Sequence, residues 1–256
     1  MTRSTHSAEH PTRPRTSTLD DRAMLMRLAA IEYDRFAAML AGLTAEGWSR
    51  STECPGWDVR AVAGHVLGMA EMAASIRESM RQQRAAKRRG GVPIDALTAL
   101  QVEEHAALRP QELIDRFGVV GPRAARARRR TPGFIRGRRM SDQQNVGGQL
   151  ETWTLGYLID TILTRDPWMH GIDISRATGR PLKLTPDHDA VLVADVVTEW
   201  RARHGQPCRL SLSGPAGGSW KFGDGGPTLE MDAIDFCRTL SGRESATGLL
   251  GIQVPF

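Results

Sequence analysis

Apolar residues recur every three or four positions along most of the first 180 residues, a spacing typical of amphipathic helices. In the first such segment, Leu25, Leu28 and Phe36 share one face. Asp58 is a candidate N-cap for the second segment, and Pro110 is a candidate break within the third. The pattern predicts four long helices, over residues 19–43, 59–87, 96–130 and 143–177.

After Pro186, the spacing of apolar residues predicts one more helix and then strands, in which apolar and polar residues alternate. A further helix is predicted over residues 187–203, and then CRLSLSG, GSWKFG and TLEMD indicate short strands separated by glycine-rich turns. A helix over residues 233–240 and a final apolar strand, LLGIQVPF, complete the chain. The sequence therefore predicts a mainly α fold, with a four-helix bundle over residues 19–180 and a small α+β domain over residues 181–256.

The composition is that of a globular protein, with 40% hydrophobic and 25% charged residues. No window reaches the roughly 18 consecutive apolar residues of a membrane-spanning helix, so no membrane partner is expected. Residues 1–18 are polar and have no apolar signal core, which predicts a disordered tail on a cytoplasmic protein. The 3 cysteines are far apart and form no CxxC pair, which argues against a disulfide framework and against an all-cysteine zinc site.

The formal net charge is +5, and the excess is concentrated between Arg77 and Arg139, where 16 Lys or Arg residues face 6 Asp or Glu residues. Such a run is typical either of solvated helix faces or of a surface for an anionic partner. No aromatic RNA-binding motif and no zinc-finger spacing accompany it. We therefore favour solvated faces over a nucleic-acid partner.

Two of the 7 histidines differ from the rest in their surroundings. His65 and His170 each stand on a stripe otherwise made of Val, Met, Leu and Ile. A single histidine on such a stripe is most often a hydrogen-bonded core residue. Two of them in one predicted bundle, with Asp166 four positions before His170, make a shared site a serious alternative.

The stretch RDPWMHGID carries the second histidine and the acid. Positions four apart share a helix face, so Asp166 and His170 can point into the same bundle interior, and His65 on the second helix can face them. Two imidazoles and a carboxylate suit Zn²⁺ or a similar divalent ion, and three protein ligands leave one coordination position open. Alternatively, Asp166 is the N-cap of a helix with Pro167 at its first position. The spacing alone leaves both interpretations open.

Two motifs resemble a known family. STECPGWDVRAVAGHVLGM is similar to the CPGW-helix-His signature of the mycothiol-dependent maleylpyruvate isomerase-like proteins, which belong to the DinB-like metal-binding superfamily, and RDPWMHGIDISRATGRP is similar to their second signature. A third stretch, from VVTEWRARHG to the closing VPF, resembles the small α+β domain of this family, so the resemblance extends over about residues 20–256. It implies a DinB-like four-helix bundle with His65, Asp166 and His170 as zinc ligands. The chain departs from the pattern at position 166, where the isomerase signature has Glu and the shorter Asp reaches less far.

The resemblance also implies a chemistry. No cysteine has a base or a cation nearby in sequence that marks it as a nucleophile, and Cys54 before Pro-Gly is interpreted as a packing residue. The reactive sulfur would then come from a low-molecular-weight thiol, which the family resemblance identifies as mycothiol. The expected function is a zinc-dependent thiol transferase or isomerase that activates this thiol for attack on a small electrophile. The alternatives are a non-catalytic metal-binding sensor or interaction protein, and a carrier of small molecules or lipids.

An electrophile with carboxylate groups needs a cationic partner, and the guanidinium fork of arginine fits a carboxylate at two points. Arg238, in DFCRTLSGR, is the candidate catalytic residue, and Arg243 is the second choice. A surface arginine near a helix C-terminus explains Arg238 equally well. Trp57 and Trp168 flank the candidate ligands in sequence, and we expect core packing from them more than a role as walls of the site.

Overall fold

A computed structural model of the chain describes residues 14–19 and 21–256. The α-helices are α1 (Arg22–Ala41), α2 (Val59–Ala74), α3 (Ile76–Arg89), α4 (Pro93–His105), α5 (Pro110–Arg130), α6 (Gly133–Arg136), α7 (Leu155–Tyr157), α8 (Leu163–Thr178), α9 (Val191–His204) and α10 (Ala233–Leu240). The strands are β1 (Gln144–Val146), β2 (Gln149–Glu151), β3 (Cys208–Ser213), β4 (Gly218–Phe222) and β5 (Thr228–Asp232).

Helices α1, α2, α5 and α8 pack together as the four-helix bundle. Phe36 of α1, Val62 of α2 and Phe117 of α5 are each at most 1% exposed in its core. Helix α2 begins where the sequence predicts, because the Asp58 side chain accepts a hydrogen bond from the Ala61 backbone N–H at 2.8 Å. The mainly α fold class is confirmed.

The helix predicted over residues 59–87 is in fact two helices. The chain breaks at Ser75, whose extended backbone ends α2 and whose hydroxyl caps α3. The predicted third helix is divided into α4 and α5, and the candidate break Pro110 is the first residue of α5. Helices α3 and α4 lie together against the outside of α2, and surface ion pairs such as Arg81 with Glu104 and Arg89 with Glu103 join them. The regular spacing of apolar residues continues across Ser75 and predicts one helix, although the capping side chain of Ser75 marks the break.

The predicted fourth helix begins later than expected. Residues 144–151 form the antiparallel hairpin β1–β2, and Gly147 and Gly148 make its two-residue turn with φ of 57° and 84°. Positive φ at both turn positions matches the twist of a hairpin and requires glycine or a similar residue. After α7, a wide π-helical turn (Leu158–Ile162) leads into α8. The segment 133–136, which lies between the third and fourth predicted helices, is the short helix α6.

The C-terminal part contains a three-stranded sheet in the order β4-β3-β5. Strand β3 is antiparallel to β4 and parallel to β5, and α9 and α10 pack with the sheet around a second core. The prediction of a strand for LLGIQVPF is wrong. That segment is a 3₁₀ turn (Gly248–Gly251) followed by extended chain, in which Pro255 has no N–H to donate to a sheet.

Helix α8 belongs to both cores. Trp168, Met169 and Ile172 pack with the C-terminal elements, whereas Ile174 packs in the bundle. The boundary near residue 180 stays a prediction, and α8 connects the parts on either side of it.

Most of the predicted tail, residues 1–13, lies outside the described residues. Arg15 pairs with Trp153 through the backbone, and its side chain binds Glu151 at 2.8 Å. Among the described residues, no helix is both long and apolar enough to cross a membrane.

Candidate metal centre

His65, Asp166 and His170 meet between α2 and α8. The His65 Nε2 and His170 Nε2 atoms lie 3.2 Å and 3.6 Å from Asp166 Oδ1, and the two imidazole rings are nearly perpendicular, with centroids 5.2 Å apart. The exposed fractions of His65, Asp166 and His170 are 4%, 9% and 8%. Ligands of a tetrahedral ion with bonds of about 2.0 Å lie about 3.3 Å apart, so these separations suit a zinc-sized cation.

Asp166 lies inside α8, which begins three residues earlier at Leu163. The alternative interpretation, in which Asp166 caps the helix and Pro167 is its first residue, is therefore wrong. Pro167 sits in the helix interior, where it cannot donate the usual hydrogen bond to the carbonyl of Leu163. The helix continues because another group satisfies that carbonyl.

That group is the side chain of Arg128 on α5, which is 1% exposed. Its guanidinium donates to the carbonyl oxygens of Leu163 at 2.9 Å and Ile159 at 2.7 Å, and to the Thr164 hydroxyl at 2.5 Å. One buried arginine thus satisfies oxygens at the junction between the π-helical turn and α8. Arg128 thereby supports the helical turn from which Asp166 projects.

Each imidazole is oriented through its other nitrogen. His65 Nδ1 lies 2.8 Å from Gln101 Oε1, and His170 Nδ1 lies 2.9 Å from Asp173 Oδ2. Both acceptors favour a proton on Nδ1, so Nε2 is the nitrogen of each imidazole that faces the shared centre. Sequence reasoning missed both partners. The i+3 spacing of Asp173 from His170 could have indicated one, but no spacing links Gln101 to His65.

The Asp166 carboxylate has a free buried oxygen. Within residues 14–19 and 21–256, no group donates a hydrogen bond to Oδ2. Burial acts to raise the pKa of Asp166, but positive charge on His65 and His170, with Arg243 beyond them, outweighs it and holds the pKa below its ordinary value. A buried ionised carboxylate with an unpartnered oxygen beside two imidazole Nε2 atoms fits a divalent cation.

Cys54, His170 and Asp173 form a neighbouring group of potential ligands. The Cys54 sulfur lies 3.4 Å from Asp173 Oδ2 and 3.8 Å from His170 Nδ1. Burial, followed by the Asp173 carboxylate, raises the pKa of the Cys54 thiol to about 12. Arg243 binds both oxygens of Asp173 at 2.6 Å, so a cation already occupies the position beside that carboxylate. This group supports His170 and does not offer a second metal site.

The two candidate arginines have different surroundings. Arg238 is 3% exposed, and its guanidinium donates to Glu53 at 2.8 Å and 3.1 Å, to Glu244 at 2.7 Å and to Asp235 at 3.1 Å. These contacts tie α10 to the loop before α2. Arg243 instead contacts Asp173, the residue that orients His170. The catalytic role of Arg238 stays a prediction.

Trp57 lies against the candidate centre, with its ring centroid 5.2 Å from that of His65 and 6.3 Å from that of His170. It also packs, partly buried, against the bundle core, as expected. Trp168 is 2% exposed in the C-terminal core, where its indole N–H donates to Asp189. That position agrees with the expected core-packing role.

The fold and this cluster together define a four-helix-bundle protein with a histidine–aspartate–histidine centre. The chain belongs to the mycothiol maleylpyruvate isomerase N-terminal domain family, whose sequence profile matches residues 29–175. The resemblance seen in the CPGW and RDPWMHGID motifs is confirmed.

Two relatives and two solved structures are similar to this chain. Uncharacterized protein MT0041 and Uncharacterized protein Rv0036c, from Mycobacterium tuberculosis strains CDC 1551 / Oshkosh and ATCC 25618 / H37Rv, are each 26% identical to this chain over 234 residues, covering 85% of it and 84% of their own length. Crystal structures of the mycothiol-dependent maleylpyruvate isomerase and of a mutant share 16% and 15% identity with the chain. Each superposes with a TM-score of 0.54 over 88% of this chain and 90% of its own. At that identity, the likeness shows a shared fold.

Proposed function

We propose that this protein is a zinc-dependent enzyme that uses mycothiol to attack a small electrophile, as a thiol transferase or an isomerase. The observation that carries the proposal is the convergence of two Nε2 atoms and one carboxylate, with both Nδ1 atoms held from behind. Family membership and the name of the solved structures with this fold, mycothiol-dependent maleylpyruvate isomerase, support the choice of thiol.

Each residue of the centre has a part in this proposal. His65, Asp166 and His170 would hold the ion, and Gln101 and Asp173 orient the two imidazoles. Bound zinc supplies a Lewis acid that favours the thiolate form of an incoming thiol at neutral pH. Trp57 shields the imidazoles from water on one side.

The attacking sulfur comes from outside the chain in this account. The thiol of Cys54, the cysteine beside the centre, stays protonated because burial and the Asp173 carboxylate raise its pKa to about 12. A thiol held in that form is a poor nucleophile. Cys54 therefore fills space beside His170, as the sequence predicts, and leaves the chemistry to a cosubstrate.

Metal analysis with a thiol assay tests the proposal. We expect about one zinc per chain, lost in His65→Ala, and zinc-dependent consumption of mycothiol with a panel of electrophiles that includes a chloro-dinitrobenzene, a bimane and maleylpyruvate. Zinc binding without acceleration over free thiol across the panel would favour the sensor alternative. Absence of zinc would refute the metal-dependent mechanism.

A further inference from the structure

The structure assigns a positioning role to two buried glutamines, Gln82 and Gln101. We propose that they set the tautomer of His65 from outside the bundle and thereby direct its Nε2 lone pair into the candidate centre. The inference deepens the proposed function and rests on it, because the lone pair matters only if a cation is bound there. Neither glutamine touches the centre itself.

The two side chains form a continuous hydrogen-bonded chain from α3 to α2. Gln82 Nε2 donates to the Gly68 carbonyl at 3.2 Å and to Glu78 Oε1 at 3.0 Å. Gln101 Nε2 donates to Gln82 Oε1 at 2.9 Å, and Gln101 Oε1 lies 2.8 Å from His65 Nδ1. This series of hydrogen bonds therefore begins at the Glu78 carboxylate on α3 and ends at His65, a candidate metal ligand.

The direction of every hydrogen bond in the chain follows from its first members. A backbone carbonyl and an ionised carboxylate only accept hydrogen bonds, so the NH₂ group of Gln82 must face Gly68 and Glu78. Its oxygen then faces Gln101, which must donate. The oxygen of Gln101 consequently faces His65, and the imidazole must carry its proton on Nδ1. Nε2, which lies 3.2 Å from Asp166 Oδ1, is then the nitrogen that can give up its proton to bind a cation.

Two glycines on α2 give α4 room to reach His65. A Cβ at Gly68 would lie 2.5 Å from Gln101 Cγ, and a Cβ at Gly64 would lie 3.0 Å from the Cβ of His105. Real side-chain carbons do not approach so closely, so a larger residue at Gly68 would displace Gln101. The close packing of α4 on α2 thus depends on this spacing of small residues and brings the amide within hydrogen-bonding distance of the imidazole.

Burying the two side-chain amides costs free energy unless their donors and acceptors are all hydrogen-bonded. Gln82 and Gln101 are each 0% exposed, and Gln82 shares the buried face of α3 with Ala86 alone. An apolar side chain would pack there without needing any partner. A role in orienting His65 explains the polar pair, because Gln101 accepts from the imidazole and Gln82 orients Gln101.

Zinc affinity of the full-length protein, measured by competition with a chromophoric chelator, tests the proposal. We expect Gln101→Leu and Gln82→Leu to weaken zinc binding about 10- to 100-fold, the usual effect of losing a partner behind a metal ligand. Gln83→Leu is the matched control, because Gln83 is exposed on the same helix and bonds only to Ser79 among the described residues. We expect it to bind zinc like the wild type.

A second readout separates positioning from packing. Nitrogen-15 NMR of the metal-free protein reports the protonation of His65 Nδ1, and we expect an Nδ1–H in the wild type that is only partly populated in both leucine variants. Gln101→Glu keeps an acceptor for Nδ1 and should retain zinc affinity within about threefold. It should lower the stability of the protein, because a carboxylate cannot donate the hydrogen bond that Gln82 Oε1 accepts. A packing role predicts no such rescue.

The outcomes distinguish this inference from the proposed function. Unchanged zinc affinity and an unchanged His65 tautomer in Gln82→Leu and Gln101→Leu would overturn the positioning role. A wild type that binds no zinc, but whose His65 tautomer responds to both substitutions, would refute the proposed function while the positioning role holds.

Discussion

The guanidinium of Arg128 donates a hydrogen bond to the carbonyl oxygen of Leu163, the oxygen that Pro167 leaves without its helical partner. A proline in a helix interior normally kinks or ends the helix. Here the buried arginine compensates, and α8 runs unbroken from Leu163 to Thr178. This compensation places Asp166 and His170 one turn apart on one face.

The Arg128→Met substitution should destabilise the protein by about 3 kcal/mol, because it leaves at least two buried carbonyl oxygens unsatisfied. Arg129→Met is the control, since Arg129 is exposed on the same helix and should change stability by less than about 0.5 kcal/mol. Urea unfolding followed by circular dichroism measures both. Equal effects from the two substitutions would show that Arg128 does not support α8.

Substitution of the two candidate arginines should separate orientation of the centre from binding of substrate. Arg243→Met frees the Asp173 carboxylate that holds His170, so zinc affinity should fall about 10-fold. Arg238→Met removes an arginine bonded to Glu53 and Glu244, so zinc affinity should stay unchanged. Chelator competition measures both.

The predicted catalytic role of Arg238 then depends on kinetics. If Arg238 binds a carboxylate of the electrophile, Arg238→Met should raise KM for such an electrophile and leave a neutral one unaffected. Unchanged kinetics with both would remove Arg238 from the site.

Cys54 should react slowly with alkylating reagents. A thiol whose pKa is about 12 carries far less thiolate at pH 8 than an ordinary cysteine, so we expect alkylation by iodoacetamide at least about 100-fold slower than that of glutathione. Intact-protein mass spectrometry with peptide mapping measures the rate. Rapid labelling of Cys54 in the folded protein would contradict an external source of the reactive sulfur.

Stability should fall in acid as the buried ion network around Glu199 is protonated. Burial raises the pKa of Glu199, but Arg165 and Arg203 outweigh it and hold the pKa below its ordinary value of 4.5. A carboxyl group with a lowered folded-state pKa contributes stability above the unfolded pKa, and that contribution disappears as the pH falls through the folded value.

Denaturant unfolding between about pH 5 and about pH 3 should therefore show a falling free energy of unfolding, with a shallower slope in Glu199→Gln than in the wild type. Glu230→Gln, on the exposed side of β5, is the control and should keep the wild-type slope. An identical slope in all three proteins would remove Glu199 from the acid response.

The hydrophobic period predicted the helical bundle because amphipathic helices bury a regular stripe, and the i, i+4 spacing of Asp166 and His170 predicted that they share a face. The breaks inside the helices were less visible. Ser75 divides the second predicted helix by a local cap, and the Gly147-Gly148 turn replaces the start of the fourth with a hairpin. In both places, short-range turn chemistry overrides a continuous apolar pattern.

The supporting residues of the centre could not be read from the sequence. Gln101 lies on α4, whose packing against α2 depends on Gly64 and Gly68, and Gln82 lies on the neighbouring α3. Arg128 comes from a run of arginines in which nothing marks it as the buried one. These contacts arise between helices far apart in the chain. A local pattern contains no information about them.

The central claim is that His65, Asp166 and His170 hold one divalent cation. Native mass spectrometry of the zinc-loaded protein tests it most directly. The account predicts one zinc per chain in the wild type and in Asp166→Glu, whose longer carboxylate restores the acid of the family signature, and none in His170→Ala. A wild type without zinc, or a His170→Ala variant that retains it, would contradict the account.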